Sequence, residues 1–306
     1  MAAGFTDWSV SWPALGSYAI VAAAHLRGLA RLAAGRTEAG SGWNERRREA
    51  LLFQVGLLLA LLVLVSPVGY WADRYLWIRA LQFMAIGVAA PGLMILGAPW
   101  QPLRLALGPV ARDGRADNAR QQARADVPGV RRQVNAAELL RHPVAAITLA
   151  NVVWLAWQLP ALADAARASA AVALGFHATC LAAGLVFWLQ LVGSRPLSPA
   201  APPLRRLALV VASVGVTTIW GMVLVFGSGV LYPGYANQWH RVMTVLDDQQ
   251  LSGAVLWMGM LPPLIIVAVA LLMRWLSDEE SADLSAGLDR LLTPRKNAWS
   301  ARPGSR

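Results

Sequence analysis

His177 and Cys180 stand three residues apart, a spacing that puts an imidazole and a thiol on one face of a helix, where both could bind one soft ion such as Cu(I). Thioethers from Met84 or Met258 could complete a low-coordinate site. A plainer explanation serves the same pair: His177 donates to a neighbouring helix, and Cys180, the single cysteine, packs as a small residue. One cysteine also excludes an intramolecular disulfide and any CxxC centre.

Further polar residues interrupt apolar stretches at helical spacing, where each is costly in hydrocarbon and therefore a functional candidate. Arg79 and Gln82 share a face, as do Asn151, Trp154 and Gln158, and as do His177, Cys180, Gly184 and Trp188. Asp248 and Gln249 open the last apolar stretch, with Met258 placed about two turns below them. Arg79 is expected either to pair with Asp248 or a partner's carboxylate, or to snorkel outward. His240, beside Trp239, reads as interfacial, and His25 and His142 as solvated or capping residues near the inner boundary. There is no Ser-His-Asp order with its supporting turns, no HExxH, no Walker loop and no dinucleotide fingerprint, so the chain is expected not to be an enzyme.

The elements that must position these residues are membrane helices. The 306 residues are 57% hydrophobic and 14% charged, with a mean hydropathy of +0.47, against about a quarter charged in soluble domains. Seven segments approach the ~20 residues that a span requires, at about 12–30, 49–66, 76–98, 143–162, 169–193, 206–231 and 250–275. The expected fold is thus an all-α bundle of seven transmembrane helices occupying residues 1–275. Twenty-three of the 27 Lys and Arg residues lie on alternate connections: six over 27–48, eight over 104–141, three over 195–206 and six from 274 onward. The intervening connections hold only Arg74, Arg167 and Arg241. By the positive-inside rule the N-terminus is outside and the C-terminus cytoplasmic. A net charge of +10 therefore reports topology and contact with the bilayer, since no nucleic-acid reader motif accompanies it.

The Arg-rich connection 100–141 is expected to be disordered or to lie on the inner leaflet, and residues 276–306 form a basic cytoplasmic tail in which ADLSAGLDRLL suits one short amphipathic helix. The Pro262-Pro263 pair should kink the seventh span. Residues 1–11 carry Asp7 and no basic n-region, so the first segment is expected to be retained.

The stretches SPVGYWADRYLW, AAPGLMILGAPW, HPVAAITLANVVWLAWQLPAL, FHATCLAAGLVFW, FGSGVLYPGYA and DDQQLSGAVLWMGM, in that order, resemble the CtaG family of assembly factors for haem-copper cytochrome c oxidases. The resemblance implies a protein of the bacterial plasma membrane that helps mature an oxidase subunit, with copper(I) handled on the outer side. His177 and Cys180 would then be a transient donor site, Arg79 and Asp248 an electrostatic pair shaping it, and Gln82 and Gln158 hydrogen-bond donors around it. Gln249 and Trp257 also match the seventh-span pattern. The chain departs where the family carries histidines. Arg79 and Phe83 occupy such positions in the third span, and Gln158 follows Trp157 where the family has histidine. Two other readings stand beside copper delivery: a metal-free scaffold, and a small-molecule or ion transporter or sensor with an outer polar pocket. A bis-histidine haem site would need a second deep histidine facing His177.

Overall fold

A computed structural model describes residues 12–34, 43–107, 142–194, 196, 197, 199, 201–236 and 242–292. Secondary structure among them is helical apart from one isolated bridge between Ser194 and Leu197. The helices are α1 (Trp12–Ala34), α2 (Trp43–Val65), α3 (Val68–Ala72), α4 (Leu76–Met84), α5 (Ala90–Leu96), α6 (Trp100–Leu107), α7 (Pro143–Trp157), α8 (Pro160–Ala168), α9 (Ala170–Leu191), α10 (Pro203–Phe226) and α11 (Val245–Leu292). Residues 1–11, 108–141, 237–241 and 293–306 lie outside the described set, and with them most of the Arg-rich connection, Trp239, His240 and the end of the tail.

Five helical stretches among the described residues are long and apolar enough to cross a membrane, and α7 with α8 raises the number to six if that bent pair is one span. The bend is 68° and has a local cause. Leu159 precedes Pro160 and is extended at φ −69, ψ 135, because a proline ring clashes with a helical predecessor. The continuous segment expected over 143–162 therefore stops at Trp157, and α8 turns across the end of the bundle. α1 is not among the five, since its second half carries His25, Arg27 and Arg31. It is nevertheless built into the bundle. It packs on α2 and α6, and a Cβ on Gly28 would stand 1.9 Å from the Pro102 carbonyl oxygen. His25 is fully buried, with Nδ1 3.2 Å from the Gln54 amide and its ring 4.4 Å from Phe53, which corrects the expectation of a solvated or capping residue.

The stretch Leu76–Leu96 is the centre of the molecule: 72% of its apolar window is buried, against 22 to 28% in the other four. α11 packs on α4, α2 on α5, and α9 on α5 and α7, while α10 lies along α11. Between α4 and α5 the backbone widens into a π turn, Ala85–Ala89. Pro91 follows and cannot donate to the preceding turn, so carbonyls there need other partners. Trp188 of α9 supplies one, donating from Nε1 to the Val88 carbonyl at 2.9 Å. Gly184 lets α9 come that close, since a Cβ there would sit 2.2 Å from the Gly87 carbonyl oxygen and 2.4 Å from Pro91.

α11 runs unbroken through Pro262 and Pro263 and on to Leu292. The expected amphipathic tail helix is therefore the continuation of the last span rather than a separate element. Each proline removes one N–H, but the fixed φ is itself helical, and neighbouring turns hold the geometry.

Candidate functional site

The end of the bundle where α3 leads into α4, α7 into α8, and α10 into α11 is held together by side chains reaching backbone groups. Thr244 and Asp247 cap the start of α11 reciprocally: the Thr244 amide and hydroxyl donate to the Asp247 carboxylate at 3.2 and 2.6 Å, and the Asp247 amide donates to Thr244 Oγ1 at 3.1 Å. One residue on, the fully buried Asp248 turns inward and accepts the Leu76 and Trp77 amides at 3.0 and 3.1 Å. These are the first two N–H groups of α4, which have no partner within their own helix. A carboxylate there also suits the positive end of the helix dipole. Gln249, likewise fully buried, accepts from the Leu231 amide at 2.7 Å and donates to the Gly229 carbonyl at 3.1 Å, which clasps the loop after α10.

That loop is pinned to the other two connections by residues the sequence reading passed over. Tyr232 donates to the carbonyl of Gln158, and Tyr235 to that of Ala72 at 3.2 Å. Burial pushes the Tyr235 hydroxyl up to about 12, so it remains a donor at physiological pH. Arg167 donates from Nε to the Asp73 carbonyl at 3.0 Å, pairs with Asp164 at 3.3 Å and lies 4.4 Å over the Tyr235 ring. Gln158 thus serves here through its backbone carbonyl. Enclosure at this rim raises the Asp73 carboxyl above its ordinary range, against the opposing pull of Arg167, Arg79 and Arg74.

Beneath the rim lies a cavity of about 850 Å³, walled by α1, α2, α3, α4, α8 and α9. Arg79, Gln82 and His177 line it, together with apolar Val63, Leu64, Leu174 and Phe176. The sequence-predicted polar faces of α4 and α9 therefore do meet. Arg79 is only 7% exposed, with its guanidinium 4.7 Å over the Phe176 ring. Its Nη2 and the Nε2 of His177 are buried without a hydrogen-bond partner.

Other predicted members fall elsewhere. Cys180 is fully buried in the apolar core and is not part of the cavity wall. Met84 is buried beside Gly259, its sulfur 3.3 Å from where a Cβ of that glycine would stand. Met258 is 60% exposed on the outside of the bundle. The reason is angular: at about 100° per residue, ten residues from Asp248 bring a side chain round by roughly 280°, whereas eleven return it to within about 20°. Gly259, not Met258, shares the face of Asp248. Asn151 ties α7 to α10, donating to Ser213 Oγ at 2.9 Å, and Trp154 packs between Phe83 and Phe187. Among the described residues no three or more His, Cys, Asp or Glu side chains gather as a metal would require.

A family model described as cytochrome c oxidase caa3 assembly factor matches residues 23–278, most of the chain. No curated protein and no solved structure matches the chain significantly.

Proposed function

We propose that this chain, which belongs to the cytochrome c oxidase caa3 assembly factor family, carries out its assembly work at the cavity end of the bundle, on the outer side of the bacterial plasma membrane. In this reading it is a scaffold that turns over no substrate, and it holds a segment of an immature oxidase subunit against the cavity. α1 is the first of seven spans, with the N-terminus outside and the C-terminus cytoplasmic. The charge asymmetry of the connections supports that orientation, and the close packing of α1 on α6 supports counting it in the bundle. One observation carries the location of the site: Arg79 is buried inside the helical bundle, lines a cavity, and leaves a guanidinium nitrogen with no protein partner. A charged group so placed marks a working site.

A second reading is favoured by His177, whose Nε2 is also without a partner: transient Cu(I) transfer, with the metal as cargo. The donor set fits a resident copper centre poorly. His177 lines the cavity, Cys180 does not, and Met258 faces outward, so a soft ion would find at most the His177 and Cys180 pair.

Two measurements test these readings. In a strain lacking the chain and complemented with variants, Arg79→Gln is expected to lower oxidase activity of the membranes and co-purification of the oxidase subunit with the tagged chain. Wild-type levels of both, in a variant present in normal amount, would refute the scaffold site. For copper, the detergent-purified protein is loaded with Cu(I) under reducing conditions beside His177→Ala/Cys180→Ser. Stoichiometric metal that disappears in the double variant would establish transfer, and none in either would leave the scaffold alone.

A further inference from the structure

We propose that the cavity is a phosphate site, resting on the reading of this cavity as the place where the chain works, and that Arg79 is its anchor. The chemistry is that of a phosphodiester or phosphate anion, supplied by a lipid headgroup or by free phosphate. Arg79 offers a planar fork of donors matched to phosphate oxygens, and part of that fork is unused. Gln82, one turn further along α4 and 5% exposed, brings an amide donor to the same wall. His177 on the facing helix adds a ring nitrogen with no other partner. Two donor-bearing side chains of α4 and a ring nitrogen of the facing helix thus meet on one space, and no described carboxylate forms an ion pair with Arg79.

The other charged groups of the wall place the anion deep rather than at the mouth. Asp73 stands at the rim, where it repels an anion, and Arg167 beside it is already engaged by Asp164. Arg79 is the cation of this wall without an ion pair among the described residues. The size and lining favour an amphiphile over a bare ion. About 850 Å³ lies within the usual ~300–1,000 Å³ of small-molecule sites, and Val63, Leu64 and Leu174 offer apolar wall that acyl carbons would cover. Leu174 is itself 65% exposed on the outer face of α9, so the cavity wall continues into surface that lipid tails reach.

The test uses the full chain in detergent and native mass spectrometry with three probes: dioctanoyl phosphatidylglycerol, dioctanoylglycerol with the same tails and no phosphate, and inorganic phosphate. Saturable binding of the phospholipid, at least tenfold tighter than dioctanoylglycerol, with a tenfold or greater loss in Arg79→Gln and a smaller loss in Arg79→Lys, is expected for a lipid headgroup. Binding of inorganic phosphate that displaces the phospholipid would assign the site to free phosphate. Equal binding of phospholipid and dioctanoylglycerol, undiminished phospholipid binding in Arg79→Gln, or no binding of either phosphate-bearing probe would each overturn the proposal. Should Arg79→Gln fail to fold, the comparison of the three probes on the wild-type chain decides. No oxidase is present in these measurements, so failure here leaves the scaffold reading standing, and loss of co-purification there leaves phosphate binding standing.

Discussion

Asp247 and Asp248 are adjacent acidic residues with opposite surroundings, and replacing each by asparagine separates a surface cap from a buried clamp. Asp248→Asn keeps the shape but leaves one acceptor oxygen for two amides, so the NH₂ group is turned against either Leu76 or Trp77. A hydrogen bond to a charged group is worth about 1.5–3 kcal/mol, and an orphaned buried N–H adds part of its desolvation, so the loss should be about 2–4 kcal/mol. Asp247→Asn stays in an exposed capping box where asparagine also caps well, and should cost under about 1 kcal/mol. At ~2–4 °C per kcal/mol, Asp248→Asn should lower the unfolding temperature by roughly 4 to 16 °C and Asp247→Asn by no more than a few degrees. Tryptophan fluorescence of the detergent-purified protein during heating reads both, since Trp77 lies beside the clamp. Equal shifts for the two variants would show that Asp248 does not hold the start of α4. The clamp matters to the site because α4 carries Arg79 and Gln82, so Asp248→Asn should also weaken oxidase assembly without touching the cavity wall.

Gly184→Ala, which drives a methyl into the Gly87 carbonyl and Pro91, should cost several kcal/mol or abolish folding, while Gly175→Ala on the same helix meets nothing within 4 Å and should be neutral or slightly stabilising, as yield and unfolding temperature will report. Met84→Ala should destabilise by about 2–5 kcal/mol through the cavity it leaves, whereas Met258→Ala should change neither stability nor any copper loading by more than the scatter between preparations. Tyr235→Phe removes the bond to the Ala72 carbonyl and should lower stability by about 1 kcal/mol, with larger losses for Arg167→Ala, which releases three contacts at once.

What could be read from the sequence was what one-dimensional spacing encodes. The polar faces of α4 and α9 follow from i, i+3 positions, and Arg79, Gln82 and His177 do share one cavity. Spacing failed where a fraction of a turn decides the outcome. Met258 sits one residue from the position that faces the centre, and depth alone did not reveal it. It failed again where partners are distant in sequence, since nothing near Asp248 indicates that its targets are two amides 171 and 172 residues earlier. His25 looked peripheral because Arg27 and Arg31 follow it, yet Gln54 and Phe53 of α2 enclose it. The break at Leu159 was written in Pro160, but an apolar tally over 143–162 conceals it.

Phe83 and Arg79 give the third span two residues with separate tasks. Phe83 is 2% exposed and stands edge-on to Trp154, so it completes the apolar core. Arg79 does the opposite: an arginine costs about 2.5–3.5 kcal/mol at a helix centre and less this near the start of a span, and the Phe176 ring returns roughly 0.5–2. Any remainder would be offset by a bound anion, so stability and occupancy must be linked. A ligand at 100 times its dissociation constant adds ~2.7 kcal/mol to the state that binds it. In detergent stripped of phospholipid, Arg79→Gln should therefore equal or exceed the wild type in unfolding temperature. With saturating dioctanoyl phosphatidylglycerol the order should reverse, because only the wild type gains. If the two proteins keep the same order in both conditions, Arg79 is a packing residue whose charge is satisfied without a ligand.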